Sequence, residues 1–221
     1  MIKIWFGIAV LAVGSLSAYF YANLKPTLTF QHFASLSEKN ISSKDYAAIV
    51  KLHSEAFIDS NRRNLLKYYQ EVVHPDVAGV ASTLMEKKVD EMVERSQKNK
   101  KESFREIENA FIARRGEEVV GFFDCYEDHE VSDGQILISN LCVKKSLHGQ
   151  GIGTALTKHA IAHCRKPGKE LILTVYKDDL SALHVYEKLG FEKIDLIADP
   201  KNPFVFFNKV MMRYRDNIDA E

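Results

Sequence analysis

Apolar and polar positions recur along this chain in patterns that divide it into short elements. Ile4 to Tyr21 is an uncharged, largely apolar run, with Lys3 before it and Lys25–Pro26 after it. Thr27–Phe33 alternates as a first strand does, and Ser35–Asn40 is a polar connection. Ser43 and Asp45 introduce a helix, with Tyr46, Ile49, Val50, Ala56 and Phe57 near helical spacing. Arg62 to Val73 reads as a second helix stopped by His74–Pro75, because the residue before a proline avoids helical geometry. Val80, Leu84, Val89, Met92 and Val93 give a third helix, which fades into the basic run Gln97–Lys101, a solvated helix end. Phe104–Arg114, Val119–Tyr126 and Ile136–Val143 are three successive strands, the first two joined by Arg115–Gly116–Glu117 as an antiparallel hairpin. A helix at Thr154–His163 presents Leu156, Ala160 and Ile161 on one face. Leu171–Val175 and Phe191–Ile197 are further strands around a short helix, and Phe204–Arg213 closes the pattern as a long last strand.

The most informative junction lies between the Ile136–Val143 strand and the helix after it: His148–Gly149–Gln150–Gly151–Ile152–Gly153. Glycines at a helix start let the backbone approach a ligand and aim unpaired N–H groups at it, and the helix dipole adds positive potential; the product is an anion site, typically for phosphate. A plain tight turn is the alternative. A dinucleotide fingerprint starting at Gly149 would need a small third residue where Thr154 stands, and Glu170 precedes the next strand instead of ending it. A nucleotide P-loop needs Gly-Lys-Ser/Thr, and Gly168–Lys169 is followed by Glu170.

A second segment adds to the first. Asp178 to Phe191 reads as a short capped helix: Asp178 or Asp179 caps its start, Gly190 ends it and Phe191 opens a strand. A strand ending near Val143, a glycine turn, a helix, a strand, then Ser181–Ala182 with Tyr186, Lys188, Gly190 and Phe191 in order resembles the GNAT superfamily of acyl-CoA N-acyltransferases. The family's turn is Gln/Arg-x-x-Gly-x-Gly/Ala; His148 stands where Gln or Arg is usual, while Gly151 and Gly153 are kept. The resemblance runs, more loosely, from about Thr27 to Arg215. It implies an α+β fold (mixed α/β), a V-splayed mixed sheet flanked by helices, with acyl-CoA inserted in the V. The domain expected is 27–215, with an enlarged helical insert at about 58–103 that helps to wall the acceptor site or serves as a structural prop.

The resemblance also assigns roles. It implies that an amine attacks acetyl-CoA, the co-substrate, directly in a ternary complex. The backbone of Leu141, Cys142 and Val143 is expected to pair with the pantetheine arm and polarise the thioester carbonyl. His148, Gly149, Gln150, Gly151, Ile152, Gly153 and Thr154 form the turn whose N–H groups hold the pyrophosphate, with Lys144, Lys145 and Lys188 as candidates for the remaining phosphate charge. Tyr186 matches the tyrosine that protonates the leaving thiolate; a phenol of ordinary pKa near 10 is protonated at neutral pH. The general base has no motif, and Asp124, Tyr126, Glu108, Glu127, Asp128, His129 and Glu130 are all candidates. A catalytically inactive acyl-CoA sensor or protein-interaction module, and a transferase for longer acyl-CoA, are the competing readings. The acceptor stays unidentified.

Composition changes this picture little. The 221 residues are enough for one domain with a substantial core, and a net charge of +0 gives no sign of a nucleic-acid partner. Cys125, Cys142 and Cys164 lack metal-ligand spacing; Cys125 and Cys142, in apolar strands, read as small buried hydrophobes, and a reducing compartment is the simplest inference. His159 and His163 sit four apart without a third ligand, so no metal is expected. Residues 1–24, through the 4–21 run, are a single-pass membrane anchor with the catalytic domain cytosolic, or a signal segment cleaved on export.

Overall fold

A computed structural model of the chain describes residues 27–37, 40–73, 82–104, 107–127, 134–194 and 207–215. The apolar run at 4–21 therefore lies outside the described residues. Within them no helix is long and apolar enough to cross a membrane. The elements follow in the order β1 (Leu28–Ser35), α1 (Ser43–Tyr68), α2 (Ser82–Ser103), β2 (Glu108–Arg115), β3 (Glu118–Glu127), β4 (Gln135–Val143), α3 (Ile152–Cys164), β5 (Glu170–Tyr176), α4 (Leu180–Lys188), β6 (Phe191–Ile194) and β7 (Lys209–Tyr214). They build one seven-stranded mixed sheet in the order β1-β2-β3-β4-β5-β7-β6, with the expected GNAT-like arrangement. Among the described strands only β4 and β5 run parallel, and α3 supplies their crossover.

Several boundaries move from those the sequence suggests. The two helices expected before His74 are one: α1 runs unbroken from Ser43 to Tyr68, and a π-helical turn continues it through Val73. The polar stretch at its middle satisfies itself, with Ser60 Oγ donating to the Phe57 carbonyl and Asn64 Nδ2 donating to the Ser60 carbonyl at 2.8 Å. Ser42 caps its start by accepting the Asp45 N–H. Phe104 is not in a strand; it is a buried residue just beyond α2, and β2 starts at Glu108. Its ring packs between His53 and Phe122, so tertiary contact decides its place over strand propensity. The last strand begins at Lys209, five residues later than Phe204.

Two cores lie on opposite faces of the sheet. Phe123, Ile136, Ile138, Leu171, Leu173 and Met212 face α3, where Leu156 and Ala160 are fully buried. Tyr46, Ile49 and Leu52 of α1 cover the other face against Ile112, Phe122 and Cys142. A smaller cluster of Leu65, Val89 and Val93 joins α1 to α2. Gly121 lets α3 come close: a Cβ there would lie 2.5 Å from Leu156 Cδ1.

The cysteine expectation is overturned. Cys125 on β3 and Cys164, the last residue of α3, form a disulfide with their Cα atoms 6.2 Å apart; Cys142 takes no part in it and is buried. The pair is 39 residues apart in sequence, so spacing gave no hint of it, and the argument for a reducing compartment falls with it.

Candidate active site

The sheet forks where β4 and β5 part. Their ladder covers only Gln135–Ile138 against Glu170–Leu173. The departure has a local cause in β4. Phe122 pairs with Cys142 and Asp124 with Ser139, so β4 carries one extra residue against β3. Asn140 takes the left-handed φ of 51° that this bulge requires, a conformation asparagine tolerates better than most residues. Beyond the bulge the alternation flips: Cys142 joins the core beneath α1, while Leu141 and Val143 pack toward α3. The released edge of β4 at Leu141–Val143 thus borders a cleft.

At the end of that edge the chain makes a short 3-10 turn, Lys145–Leu147, and enters the glycine turn. Gly149 and Gly151 have φ of 74° and 79°, and Gly151 is the N-cap of α3. An added Cβ at either glycine would meet nothing within 4 Å, so the turn faces open space. The first intrahelical bond goes from Ala155 N–H to the Gly151 carbonyl at 3.0 Å, which leaves Ile152, Gly153 and Thr154 N–H without an acceptor in the helix. These donors and the dipole of a 13-residue helix suit a pyrophosphate. His148 Nε2 contacts the Val143 carbonyl at 3.0 Å, pinning the turn to the end of β4. Gln150 Oε1 accepts from Arg115 at 2.9 Å. The lysine candidates are otherwise engaged: Lys144 pairs with Glu118, and Lys145 lies 3.4 Å from Asp59. Lys188 is an exposed residue at the end of α4.

Tyr186 enters from α4, which Asp179 caps by accepting the Ala182 N–H at 3.0 Å and after which Gly190 turns with φ 94°. The ring is buried, edge-on to Phe191, and close enough to Cys142 and Asp179 to feel both. Burial first, and those two neighbours next, push its phenol above the ordinary pKa. This corrects the expectation of an unperturbed phenol. A phenol more basic than a thiolate keeps its proton and donates a hydrogen bond.

Of the general-base candidates, the structure separates one from the rest. Glu127 is held down to about 2 by Lys166 and Lys169. Tyr126 is 40% exposed and Glu108 is exposed at the start of β2; Asp128, His129 and Glu130 lie outside the described residues. Asp124 is only 3% exposed, and burial raises its pKa to about 6 despite the Asn140 hydrogen bond. Asn140 Nδ2 donates to Asp124 Oδ1 at 2.8 Å, and Asn140 Oδ1 lies 2.9 Å from His53 Nε2. Asparagine's oxygen only accepts, so His53 carries its proton on Nε2 in this arrangement. His53 is 4% exposed between the Phe57 and Phe104 rings. Sequence reading missed it, although a histidine four residues after Ile49 on the buried face of α1 was a visible signal. His159 stacks on His163 and on Phe30, and burial, then the His163 charge, lowers the His159 pKa. Among the described residues no group of three ligating side chains could hold a metal ion.

Comparison with known proteins agrees with this geometry. The model of the acetyltransferase (GNAT) family matches residues 81–191, half of the chain. An uncharacterized N-acetyltransferase, MJ1207, of Methanocaldococcus jannaschii is 30% identical over 101 residues, covering 42% of this chain and 43% of that protein. N-alpha-acetyltransferase 30 of Schizosaccharomyces pombe is 31% identical over 86 residues, covering 38% and 57%. The chain thus spans about half the length of these relatives. The crystal structure of Escherichia coli ElaA superposes with a TM-score of 0.51 at 14% identity, over 86% of this chain and all of that one, a likeness of fold. The forked sheet, the glycine turn between β4 and α3 and the family match together make this chain a member of the GNAT acetyltransferase family.

Proposed function

We propose that the chain is an acetyl-CoA-dependent N-acetyltransferase acting on a primary amine by direct attack in a ternary complex. The observation that carries this is the continuity of one ligand path: a β4 edge released by the Asn140 bulge leads directly into a helix N-terminus with open glycines. In this reading the 27–215 domain binds the pantetheine arm along Leu141–Val143 and the pyrophosphate at Gly149–Thr154. The enlarged helical insert walls the acceptor side.

The amine nitrogen forms a bond to the thioester carbonyl carbon, and the carbon–sulfur bond breaks. Backbone N–H of the β4 edge steadies the carbonyl oxygen while it carries charge. Tyr186 donates to the departing sulfur. The proton lost by the amine goes to the Asp124 carboxylate, which Asn140 holds by donating from Nδ2, while Asn140 Oδ1 accepts from His53 Nε2. Residues 4–21 act as a membrane anchor for the domain; fractionation and N-terminal sequencing test this, and a mature product starting near Asn23 would refute it.

Calorimetry with acetyl-CoA on folded Gly151→Glu and Gly153→Glu variants tests the core claim. Bulk and negative charge in the turn should abolish binding, and unchanged affinity would end it. Release of CoA thiol, followed with an amine panel, then reads the transfer itself.

A further inference from the structure

We propose that Lys209, beside Tyr176 on the α1 face of the cleft, binds an anionic group of the acceptor, so that the acceptor is an amine that also carries a carboxylate. This rests on the acyl-transfer reading above and adds a substrate class to it.

Strand alternation places the site. On β5, Leu171, Leu173 and Val175 face α3, so Ile172, Thr174 and Tyr176 face α1. On β7, Val210 and Met212 face α3, so Lys209 shares the α1 side with Tyr176, its direct partner in the ladder. Tyr176 lies three residues past Leu173, where β5 last pairs with β4; that is about 10 Å along the β5 arm beyond the fork. The polar groups around it satisfy one another. Tyr176 donates its hydroxyl to Asn61 Oδ1 at 2.8 Å, and Asn208 Nδ2 donates to Asn64 Oδ1 at 2.7 Å. Lys67 Nζ reaches Asn208 Oδ1 at 3.4 Å and Glu71 at 4.0 Å.

Lys209 is the exception. Its ammonium lies 5.3 Å from the centre of the Tyr176 ring and is half-buried. Several other lysines of the fold have carboxylates: Lys144 has Glu118, Lys145 has Asp59, Lys169 has Glu127 and Lys193 has Glu187. No carboxylate among the described residues lies in ion-pair reach of Lys209, and Asp178 acts on the Tyr176 phenol instead. Burial lowers the Lys209 pKa, and among the described residues no charge raises it. A desolvated ammonium is costly unless an anion joins it, and the aromatic face offsets only part of that cost. A fixed positive charge on the acceptor side also repels amines that carry positive charge alone, which gives the site a reason to reject polyamines. A carboxylate on the acceptor resolves both.

The test uses the full chain loaded with CoA and titrated calorimetrically with reaction products. The probes are N-acetyl amino acids, their C-terminal amides, and N-acetyl dipeptide amides with aspartate second. Wild type should bind the acids about 10–100-fold more tightly than the amides, the gain expected of a charge-assisted hydrogen bond. Lys209→Met should erase the preference and Lys209→Arg should keep it. Preference for the free acid identifies a single amino acid as the source of the carboxylate; preference for the aspartyl dipeptide identifies an acidic peptide. Equal binding of all three probes, no binding of any at millimolar concentration, or a preference that survives Lys209→Met overturns the proposal. Loss of CoA binding in wild type would instead overturn the acyl-transfer reading, so the two failures are distinct.

Discussion

Asp124→Asn removes a buried charge while keeping an oxygen to accept from Asn140. The wild-type carboxyl titrates at about 6 in the folded protein against 3.8 for an ordinary aspartate. That difference is about two pKa units, or about 3 kcal/mol at 1.36 kcal/mol per unit. A carboxyl with a raised folded pKa contributes its stability fully below about 3.8, and the contribution is lost as pH rises through about 6. Wild type should therefore lose about 3 kcal/mol relative to Asp124→Asn between these limits and then run parallel to it. Urea denaturation of both proteins across that range, compared as a difference, isolates the one group. The same variant should lose acetyl transfer at neutral pH, and wild-type activity should rise with pH through about 6. A stability difference that does not change with pH would show that Asp124 is not buried as an ionised carboxylate, and its role as proton acceptor would go with it.

Other expectations follow from single contacts. The Cys125–Cys164 disulfide closes 39 residues, which loop-closure entropy values at about 4 kcal/mol, so a Cys125→Ala/Cys164→Ala variant should show that loss in denaturant; three free thiols titrated in native protein would deny the bond. Gly121→Val should cost about 1–3 kcal/mol by overpacking against Leu156, measured the same way, and a smaller partner in Leu156→Ala should recover part of it. Tyr186→Phe should lower turnover about 10²–10⁴-fold while acetyl-CoA still binds, and a wild-type single-turnover rate would make Tyr186 a packing residue.

What was legible in the sequence was local. The glycine turn, the Asp179 cap and Gly190 after α4 act through neighbours a few residues away, and the strands around them keep their order. Phe104 misled because its apolar side chain serves a contact between a helix end and α1, not a strand. Division of α1 between Phe57 and Arg62 overlooks that Ser60 and Asn64 bond back to the helix itself. The acid–amide–imidazole line could not be read because its members stand 16 and 87 residues apart. Only folding puts α1 across β4. The same holds for the disulfide, which joins a strand to the far end of a crossover helix.

The bonds of α1 also amount to a ruler. His53 holds Asn140 on one arm of the fork, and Asn61 holds Tyr176 on the other. Eight residues separate these two hooks, about 12 Å along the helix axis. The gape of the cleft is then set by the length of a helical span and not by the elasticity of the sheet. Inserting one residue between His53 and Asn61 would turn one hook by about 100° relative to the other and release an arm. In this chain a change in the width of the cleft need not redraw its walls; it can come from resetting the brace.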